Sequence, residues 1–354
     1  MKEKVIVGMS GGVDSSVAAL LLKEQGYDVI GVTMETWDIP NHNDEADTDH
    51  SSAADDAKKV ADVLGIPHFT VDFKDIFRKN VVDYFIGEYK QGRTPNPCIV
   101  CNRYVKWEAL LHRCRELGGD YIATGHYGKI IHLPNGRYSV AKSVYAGKDQ
   151  SYVLYGLTQE ELSRTLFPLY EYEKTDIRKI ALDNNIPVAA KKDSQDICFI
   201  PDHDYAAFIE EQTGQKSVPG NFVDVQGNVL GRHKGILHYT VGQRKGLGIA
   251  FGEPKFVIAI RPSTNEVLLG SKEDLMVREV ILSDVNYMSV EDITGPVRAT
   301  GKLRYSQKDS PCTLMKDEQG NLKAVFDEPM RAATPGQAGV FYQDDCILCG
   351  GIIL

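Results

Sequence analysis

The stretch Val5-Ile-Val-Gly-Met-Ser-Gly-Gly-Val-Asp-Ser-Ser16 decides the fold of this chain. Val5 to Val7 is an apolar run of β-branched residues, which predicts a buried strand. The segment Ser10–Ser15 then predicts a tight turn, and its two glycines can adopt positive φ and let backbone N–H groups approach a ligand. The Ala/Leu-rich run from Val17 to Leu22 predicts a helix, whose N-terminus favours a phosphate. A strand, a glycine turn and a helix start together predict an anion site.

This turn differs from the two commonest phosphate-binding loops. A Walker A loop needs Gly-Lys-Ser/Thr, and no lysine follows these glycines. The dinucleotide fingerprint needs Gly-x-Gly-x-x-Gly, and Gly8, Gly11 and Gly12 are spaced differently. The hexapeptide Ser-Gly-Gly-Val-Asp-Ser resembles instead the loop of the PP-loop ATP pyrophosphatases, which cleave ATP between the α and β phosphates. An ordinary glycine turn is the alternative, which the complete hexapeptide directly after a strand disfavours.

Length and composition predict a globular chain of two or three domains. The 354 residues are 42% hydrophobic and 25% charged. No apolar run approaches the ~18 residues of a membrane span, and the N-terminus enters a strand without a signal peptide. Seven cysteines without a secretory signal indicate a reducing compartment, so we expect a cytoplasmic protein with no membrane partner.

Charge argues against attraction of nucleic acid to the whole surface, because the formal net charge is −9. Locally basic segments could still bind a polyanion, although solvated faces are the alternative. These segments are Arg103–Arg115, Lys174–Lys192, Arg232–Lys245 and Arg298–Lys308.

The chain shows two different sequence patterns, one in its first part and one after residue 216. Residues 1 to about 125 alternate predicted strands and helices, which indicates an α/β doubly wound parallel sheet. Ligands on such sheets bind beyond the carboxyl ends of the strands, which predicts that Gly8–Ser15, Met34 and Gly125-His126 line one crevice. The Asp-, Asn- and His-rich residues 38–50 predict an exposed loop, with a metal cluster as a minor alternative.

After residue 216 the pattern changes to short strands with glycine turns, which predicts an all-β, barrel-like region. We place the domains at residues 1–205, 206–275 and 276–354. The first is the PP-loop ATP-binding and catalytic domain, the second a small central β-rich domain, and the third a C-terminal β-barrel.

Three cysteines are candidates for chemistry. Cys98 and Cys101 form a Cys-x-x-Cys pair, and prolines up to Pro97 exclude a preceding helix. Cys101 is therefore predicted at or just before a helix N-terminus with Arg103 nearby, and both features would stabilise a thiolate. Cys198 follows a polar, basic loop and precedes an apolar pair, which suits a partly exposed reactive thiol.

Metal and redox alternatives stay open for these cysteines. A four-cysteine zinc site would combine Cys98 and Cys101 with the second Cys-x-x-Cys at 346/349. The two pairs are farther apart than in usual zinc ribbons, and the second lies in a predicted strand, where residues i and i+3 point to opposite faces. A thioredoxin-like dithiol at 98/101 is another alternative. An iron–sulfur cluster held by Cys98, Cys101 and Cys198, with an open fourth position, is a third.

Motifs along essentially the whole chain resemble those of the tRNA-specific 2-thiouridylases. In chain order they are Ser10–Ser15, Thr94–Asn102, Ala123–Tyr127, Lys148–Tyr152, Ile197–Ile200, Tyr239–Gly246, Leu303–Tyr305 and Thr334–Gln337. The resemblance implies ATP-dependent 2-thiolation of the wobble uridine of tRNA. Uracil O2 would be adenylated with release of pyrophosphate, and sulfur would then come from a cysteine persulfide.

The resemblance also implies a role for individual residues. Cys198 would carry the persulfide and Cys101 would be the nucleophile, leaving a Cys101–Cys198 disulfide. ATP, with Mg²⁺ neutralising its phosphates, would contact Gly8, Met9, Ser10, Gly11, Gly12, Val13, Asp14, Ser15, Met34 and Gly125. The C-terminal barrel would help to bind the tRNA. The tRNA and its flipped-out base would contact Asn96, Pro97, Cys98, His126, Lys148, Asp149, Gln150, Arg304, Tyr305 and Gln337. The partners would be tRNA and a persulfide donor, either a cysteine desulfurase or a sulfur relay protein.

One departure and two rival functions accompany this interpretation. Some relatives carry Asp, a candidate general acid/base, where this chain has Cys98, so the group that handles protons is open. The rivals are another PP-loop ligase or amidotransferase, which would need no paired thiols, and a non-catalytic RNA-binding protein. Sulfur transfer requires the two thiols to approach, and we expect residues 191–200 to move.

Overall fold

The computed structural model describes residues 2–38, 52–191, 197–249 and 252–354. Within these ranges the chain forms two compact units. The first runs from the N-terminus to Val81 and also includes Cys98–Phe199 and Asp344–Ile347. The second contains Val82–Pro97, Ile200–Gln343 and Leu348–Leu354. No helix in the described ranges is long and apolar enough to cross a membrane.

The first unit contains the predicted parallel sheet. Its strands are β1 (Lys4–Gly8), β2 (Asp28–Glu35), β3 (His68–Asp72), β4 (Tyr121–Ala123), β5 (Lys129–His132), β6 (Tyr138–Ala141) and β7 (Thr165–Leu166). Five of the described strands form one sheet in the order β3-β2-β1-β4-β7, and every neighbouring pair is parallel. Val5, Ile6 and Val7 of the central strand are fully buried, as expected when both faces of a sheet are covered. The predicted doubly wound sheet is confirmed.

Helices connect these strands. They are α1 (Val13–Glu24), α2 (Ala53–Leu64), α3 (Lys74–Phe77), α4 (Asp83–Lys90), α5 (Pro97–Cys101), α6 (Leu110–Glu116), α7 (Gln159–Ser163), α8 (Lys174–Asp183) and α9 (Tyr205–Thr213). Two π-helical stretches, Arg78–Val82 and Asn102–Ala109, continue α3 into α4 and α5 into α6. Helix α2 shows how local sequence sets the ends. Ser52 caps its start with a reciprocal bond to Asp55, and Gly65 ends it in the left-handed conformation.

The second unit holds two β structures. Its central sheet has the order β10-β11-β8-β9, built from β8 (Gly220–Val223), β9 (Val229–His233), β10 (Phe256–Arg261) and β11 (Glu266–Gly270). The later strands are β12 (Met276–Tyr287), β13 (Val297–Lys302), β14 (Ser310–Lys316), β15 (Leu322–Arg331), β16 (Ala338–Gln343) and β17 (Cys346–Ile353). They follow the order β12-β15-β14-β13-β16-β17, and β12 pairs again with β17, which closes a barrel. The predicted C-terminal barrel is therefore confirmed.

Helix α4 belongs to the second unit because of its aromatic side chains. Phe85 and Tyr89 pack against Tyr205 of α9, with ring centroids 6.0 and 6.2 Å apart. Burial of such large side chains dominates local packing energies. The chain therefore leaves the first unit after Val81 and re-enters it at Cys98.

Candidate active site

The turn between β1 and α1 is held in shape by its own serines. The Ser10 N–H donates to Ser15 Oγ at 3.1 Å, and that hydroxyl donates to the Gly12 carbonyl at 3.2 Å. Gly11 has φ +68°, and a Cβ there would lie 2.5 Å from the Ala53 carbonyl oxygen. Gly12 has φ −105° and would leave 3.5 Å to its nearest neighbour. Gly11 therefore uses the positive φ that glycine permits, whereas Gly12 does not, and any residue would fit the backbone at Gly12.

Three strand ends meet at this turn, as the parallel sheet predicts. A Cβ on Gly8, at the end of β1, would lie 3.4 Å from Met34 Cε of β2. A Cβ on Gly125, which follows β4, would lie 2.7 Å from the backbone of Asp14 and Ser15. These strand ends are therefore brought together as predicted, while a crevice among them and its occupation by ATP stay predictions.

Two more of the predicted ATP contacts have buried side chains. Met9 and Val13 are 1% and 3% exposed, so any contact with ATP would have to use their backbone groups.

Two lysines reach the turn from a distant segment. Lys174 Nζ lies 2.7 and 2.8 Å from the two carboxylate oxygens of Asp14. Lys191 Nζ donates to the Gly11 carbonyl at 3.2 Å and pairs with Asp56 at 2.7 Å. The turn has no lysine of its own, yet two ammonium groups lie beside it. The only indication of these contacts in the sequence is the basic composition of residues 174–192. That composition does not predict which groups Lys174 and Lys191 would contact.

Tyr127, the last residue of the Ala123–Tyr127 motif, is a third side chain at the turn, and the sequence assigns it no role of its own. Its hydroxyl donates to Asp14 Oδ1 at 2.7 Å, and the residue is 2% exposed. Its backbone N–H donates to Gln150 Oε1 at 3.0 Å, and the Gln150 N–H donates to the Tyr127 carbonyl at 2.8 Å. Tyr127 therefore joins a predicted RNA contact, Gln150, to a predicted phosphate contact, Asp14.

Two other predicted RNA contacts in this unit have buried functional groups. The Asp149 carboxylate accepts bonds from the N–H groups of Ser143 and Ser151 at 3.1 and 3.2 Å, so it shapes its own loop. His126 Nδ1 lies 2.8 Å from the Thr124 hydroxyl, and burial lowers the pKa of His126 well below its ordinary value. Any RNA contact of His126 would therefore involve a neutral imidazole.

The three candidate thiols lie in the first unit. Cys98 and Cys198 are exposed, and Cys101 is partly exposed. Helix α5 begins at Pro97, because proline fits the first helical position without losing a bond. Cys101 is therefore one turn inside the helix, and its predicted place at the N-terminus is wrong.

The pKa values of these thiols are raised, against expectation. The pKa of Cys101 is raised to about 12, chiefly by desolvation and to a smaller extent by the neighbouring thiols of Cys198 and Cys98. The pKa values of Cys98 and Cys198 are also raised, chiefly by desolvation. Lys106 lowers the pKa of all three. The thiols thus lie within electrostatic reach of one another, and the cation that acts on them is Lys106.

Arg103 is predicted to stabilise the Cys101 thiolate, but Lys106 is the cation that lowers the pKa of this thiol. The Arg103 guanidinium lies 5.2 Å from the centre of the Tyr104 ring. Lys106 follows Cys101 by five residues in the π-helical stretch, whose backbone bonds join residues five apart. An α-helical sequence pattern therefore does not predict that Lys106 acts on this thiol.

Metal binding by the cysteines finds no support in the described ranges, where no group of three or more His, Cys, Asp or Glu side chains could hold a metal ion. The iron–sulfur cluster considered for Cys98, Cys101 and Cys198 therefore has no support in these ranges. Cys346 and Cys349 lie on β17, as expected. Residues 39–50 of the predicted acidic loop, and residues 192–196 of the segment expected to move, lie outside the described residues.

The remaining predicted RNA contacts lie in the second unit. Gln337 Nε2 donates to the Thr94 carbonyl at 2.8 Å, which holds the turn at 335–337 beside the segment that continues to Asn96 and Pro97. Arg304 Nη2 donates to the Val241 carbonyl at 2.9 Å and to the Thr334 hydroxyl at 2.5 Å.

Tyr305 is 45% exposed. The structure therefore joins three distant segments of the predicted RNA surface, while contact with RNA itself stays a prediction.

Three protein families match consecutive parts of the chain. They are described as tRNA methyl transferase HUP domain (residues 3–202), tRNA methyl transferase PRC-barrel domain (residues 206–271) and aminomethyltransferase beta-barrel domain (residues 277–353). The tRNA-specific 2-thiouridylase MnmA of Lachnoclostridium phytofermentans is 56% identical over 99% of both chains. The protein of the same name from Clostridium kluyveri is 51% identical over 100% of this chain and 99% of its own.

Among solved structures, a 4-thiouridine synthetase–RNA complex with bound ATP matches with a TM-score of 0.38. It is 19% identical over 60% of this chain and 50% of the other. This likeness is too low to carry an argument.

Proposed function

This chain belongs to the family of tRNA-specific 2-thiouridylases, and we propose how its residues carry out ATP-dependent thiolation of tRNA. Family membership makes it a tRNA sulfurtransferase. The uracil C2 carbonyl is a poor electrophile without a leaving group. Transfer of AMP from ATP to its oxygen supplies that leaving group and releases pyrophosphate.

The turn at Gly8–Ser15 holds the phosphates of ATP. Its glycines permit close approach of the backbone, and the start of α1 favours negative charge. Lys174 and Lys191 add two ammonium groups beside it. These compensate the phosphate charge that a Walker A lysine would otherwise compensate.

Asp14 suits a magnesium ion, because Mg²⁺ is commonly held by one or two carboxylates together with substrate phosphates. The Asp14 carboxylate already accepts bonds from Lys174 and Tyr127 at the phosphate site. A bound Mg²⁺ would neutralise charge on the phosphates and the leaving pyrophosphate. Lys174 would then be available to the phosphates themselves.

Sulfur transfer uses Cys198 and Cys101. The outer sulfur of a Cys198 persulfide attacks C2, a C–S bond forms, and the bond from C2 to the AMP oxygen breaks. The Cys101 thiolate then attacks Cys198 Sγ, and the electron pair of the broken S–S bond stays on the sulfur attached to C2. The product is 2-thiouridine together with a Cys101–Cys198 disulfide, which a cellular thiol must reduce.

Lys106 has a part in this step because both thiols have raised pKa values. An ammonium group favours the anionic form of a nearby thiol and of a persulfide. Lys106 therefore supplies the positive charge that a helix N-terminus would otherwise provide to the Cys101 thiolate.

RNA binds to both units in this proposal. Residues 1–205 bind ATP and carry the thiols, residues 206–275 form the central domain, and the barrel at 276–354 binds RNA. Arg304 and Lys148 contact phosphates, and the exposed Tyr305 ring stacks on a base. Sulfur comes from a persulfide donor, a cysteine desulfurase or a relay protein, in the reducing cytoplasm, where the thiols stay free.

A single observation carries this proposal beyond the family name. Cys198 is about a hundred residues from the Cys98/Cys101 pair in the chain, yet its thiol contributes to the raised pKa of Cys101 in the unit that also holds the phosphate turn. A PP-loop ligase or amidotransferase would need no such thiols. It would release pyrophosphate and leave the RNA unthiolated.

The test is incubation of the protein with tRNA, ATP and a persulfide source, followed by nucleoside analysis. We expect 2-thiouridine and an equal amount of pyrophosphate. Pyrophosphate without 2-thiouridine would favour the ligase, and RNA binding without pyrophosphate would favour the non-catalytic protein.

A further inference from the structure

We propose that Tyr127 is a positioning residue that couples RNA binding at Lys148–Gln150 to ATP binding and cleavage at Asp14. This inference rests on the function proposed above. It gives a role to a side chain whose hydroxyl donates to the phosphate turn at Asp14.

The first link is the bond from the Tyr127 hydroxyl to Asp14 Oδ1, at 2.7 Å. The same oxygen accepts from Lys174 Nζ at 2.7 Å, so two donors fix the direction of this carboxylate. The Tyr127 ring is 2% exposed and packs in the hydrophobic core of the first unit. Its hydroxyl therefore cannot shift unless its backbone shifts as well.

The second link ties that backbone to Gln150. Tyr127 N–H donates to Gln150 Oε1 at 3.0 Å, and Gln150 N–H returns a bond to the Tyr127 carbonyl at 2.8 Å. Two residues before Tyr127, Gly125 packs on the backbone of Asp14 and Ser15 so closely that a Cβ would lie 2.7 Å away. The segment 125–127 thus contacts the phosphate turn at two points and Gln150 at two more.

The third link is the stiffness of the loop that carries Gln150. The buried Asp149 carboxylate accepts from Ser143 and Ser151, and the Val153 N–H donates to the Gln150 carbonyl at 3.1 Å. A loop bonded in this way responds as one piece. RNA that contacts Lys148 or Gln150 will therefore bias the position of Tyr127 and, through its hydroxyl, the orientation of Asp14.

Coupling of this kind is reciprocal: if RNA tightens nucleotide binding by some factor, the nucleotide tightens RNA binding by the same factor. Such factors are typically about 5- to 150-fold. Tyr127→Phe removes the hydroxyl and keeps the buried ring, so it cuts the first link with little change in packing. We expect the coupling factor to fall toward one in this variant.

The experiment measures the Kd of an ATP analogue that cannot be cleaved between the α and β phosphates, with and without saturating tRNA. In the wild type we expect tRNA to tighten analogue binding about tenfold. In Tyr127→Phe we expect a change below about twofold, with each ligand alone bound within about threefold of wild type. Tyr121→Phe is the matched control, because Tyr121 lies at the amino end of β4, away from the phosphate turn, and its hydroxyl donates to Glu3 at the surface.

An unchanged coupling factor in Tyr127→Phe would overturn the inference, and so would the absence of coupling in the wild type. Thermal unfolding shows whether the variant is folded. Gln150→Leu removes the acceptor for the Tyr127 N–H and tests the second link. Because Gln150 is itself a predicted RNA contact, this variant is measured with tRNA raised to saturation, and its coupling factor should also fall. A wild type that neither binds tRNA nor releases pyrophosphate contradicts the proposed function. RNA binding and pyrophosphate release without coupling contradict this inference alone.

Discussion

The phosphate turn and the thiol site lie in the same unit but depend on the sequence in different ways. At the turn, the backbone carries the chemistry: Gly11 adopts a φ of +68° and α1 begins directly after it. At the thiol site, the surroundings carry it, because enclosure raises the pKa of Cys101 and Lys106 lowers it. A contiguous hexapeptide is enough to predict a backbone site. Thiol reactivity depends on groups brought in from elsewhere, which a motif does not contain.

The largest effect should come from the turn. Gly11→Val forces a β-branched residue into positive φ and places its Cβ 2.5 Å from the Ala53 carbonyl oxygen. We expect pyrophosphate release to fall by roughly 10³-fold or more, at the upper end of losses from a single oxyanion donor. RNA affinity should stay near wild type. The measurement is pyrophosphate release with tRNA present.

Gly12→Ala is the control for backbone strain, because Gly12 has φ −105° and space for a Cβ. It should unfold at the wild-type temperature, whereas Gly11→Val should lose about 1 kcal/mol or more of unfolding free energy. Wild-type pyrophosphate release in Gly11→Val would remove the turn from the mechanism.

The next effect concerns the charges that the turn lacks in its own sequence. Lys174→Met removes the ammonium group on Asp14, and we expect pyrophosphate release to fall about 10²-fold. Lys179→Met, at an exposed position on the same helix α8, serves as the matched control. Equal activity of the two variants would mean that Lys174 has only a structural part.

A smaller effect tests the thiol site. Because the pKa of Cys101 is raised to about 12, its thiolate fraction at neutral pH is small. Alkylation of Cys101 by iodoacetamide should therefore rise about tenfold per pH unit from 7 to 9 without a plateau, whereas an ordinary cysteine levels off near 8.5. Peptide-resolved mass spectrometry separates Cys101 from Cys98 and Cys198.

Lys106→Met should slow this alkylation about threefold, because it removes the cation that lowers the thiol pKa, and Lys106→Arg should restore it. A plateau below pH 8.5 in the wild type would show that Cys101 is a stabilised thiolate after all. The thiol site would then resemble the turn, and the contrast between them would fail.

The smallest effect concerns His126, beside both regions. Its folded-state pKa lies well below the ordinary value of 6.5, so the unfolded chain binds this proton more readily. Stability should therefore be retained above about pH 6.5 and lost as the pH falls below it, by at most about 1.4 kcal/mol per pH unit. His126→Gln should reduce the slope of unfolding free energy against pH between 7 and 5, measured by urea denaturation. An unchanged slope would assign the pH dependence to other groups, such as His68 and His233, whose pKa values are also lowered.

Local patterns predict much of the fold. The β-branched run at Val5–Val7 and the alternation of strand and helix predict the parallel sheet and the crevice at its edge. Gly8, Met34 and Gly125 meet there because parallel strands share one carboxyl edge. The two-residue strand β7 has no pattern of its own, since Thr165 and Leu166 gain their conformation from pairing with β4.

Long-range contacts explain what the sequence leaves out. Lys174 and Asp14 are 160 residues apart, and only the packing of α8 brings them together. The environment of Cys101 depends on Pro97, which starts the helix early, and on Lys106, which lies five residues later in a π-helical stretch and lowers the pKa of the thiol. None of these relations has a fixed spacing that a reader of the sequence could use.

The division of the reaction between the two regions can be tested in one sample. Cys101→Ser protein, loaded with persulfide on Cys198, is mixed with ATP and limiting tRNA, and pyrophosphate and 2-thiouridine are quantified together. We predict pyrophosphate release within about threefold of wild type and no free 2-thiouridine, because the turn is intact and the attacking thiol is absent. Formation of 2-thiouridine at the wild-type rate by this variant would contradict the account.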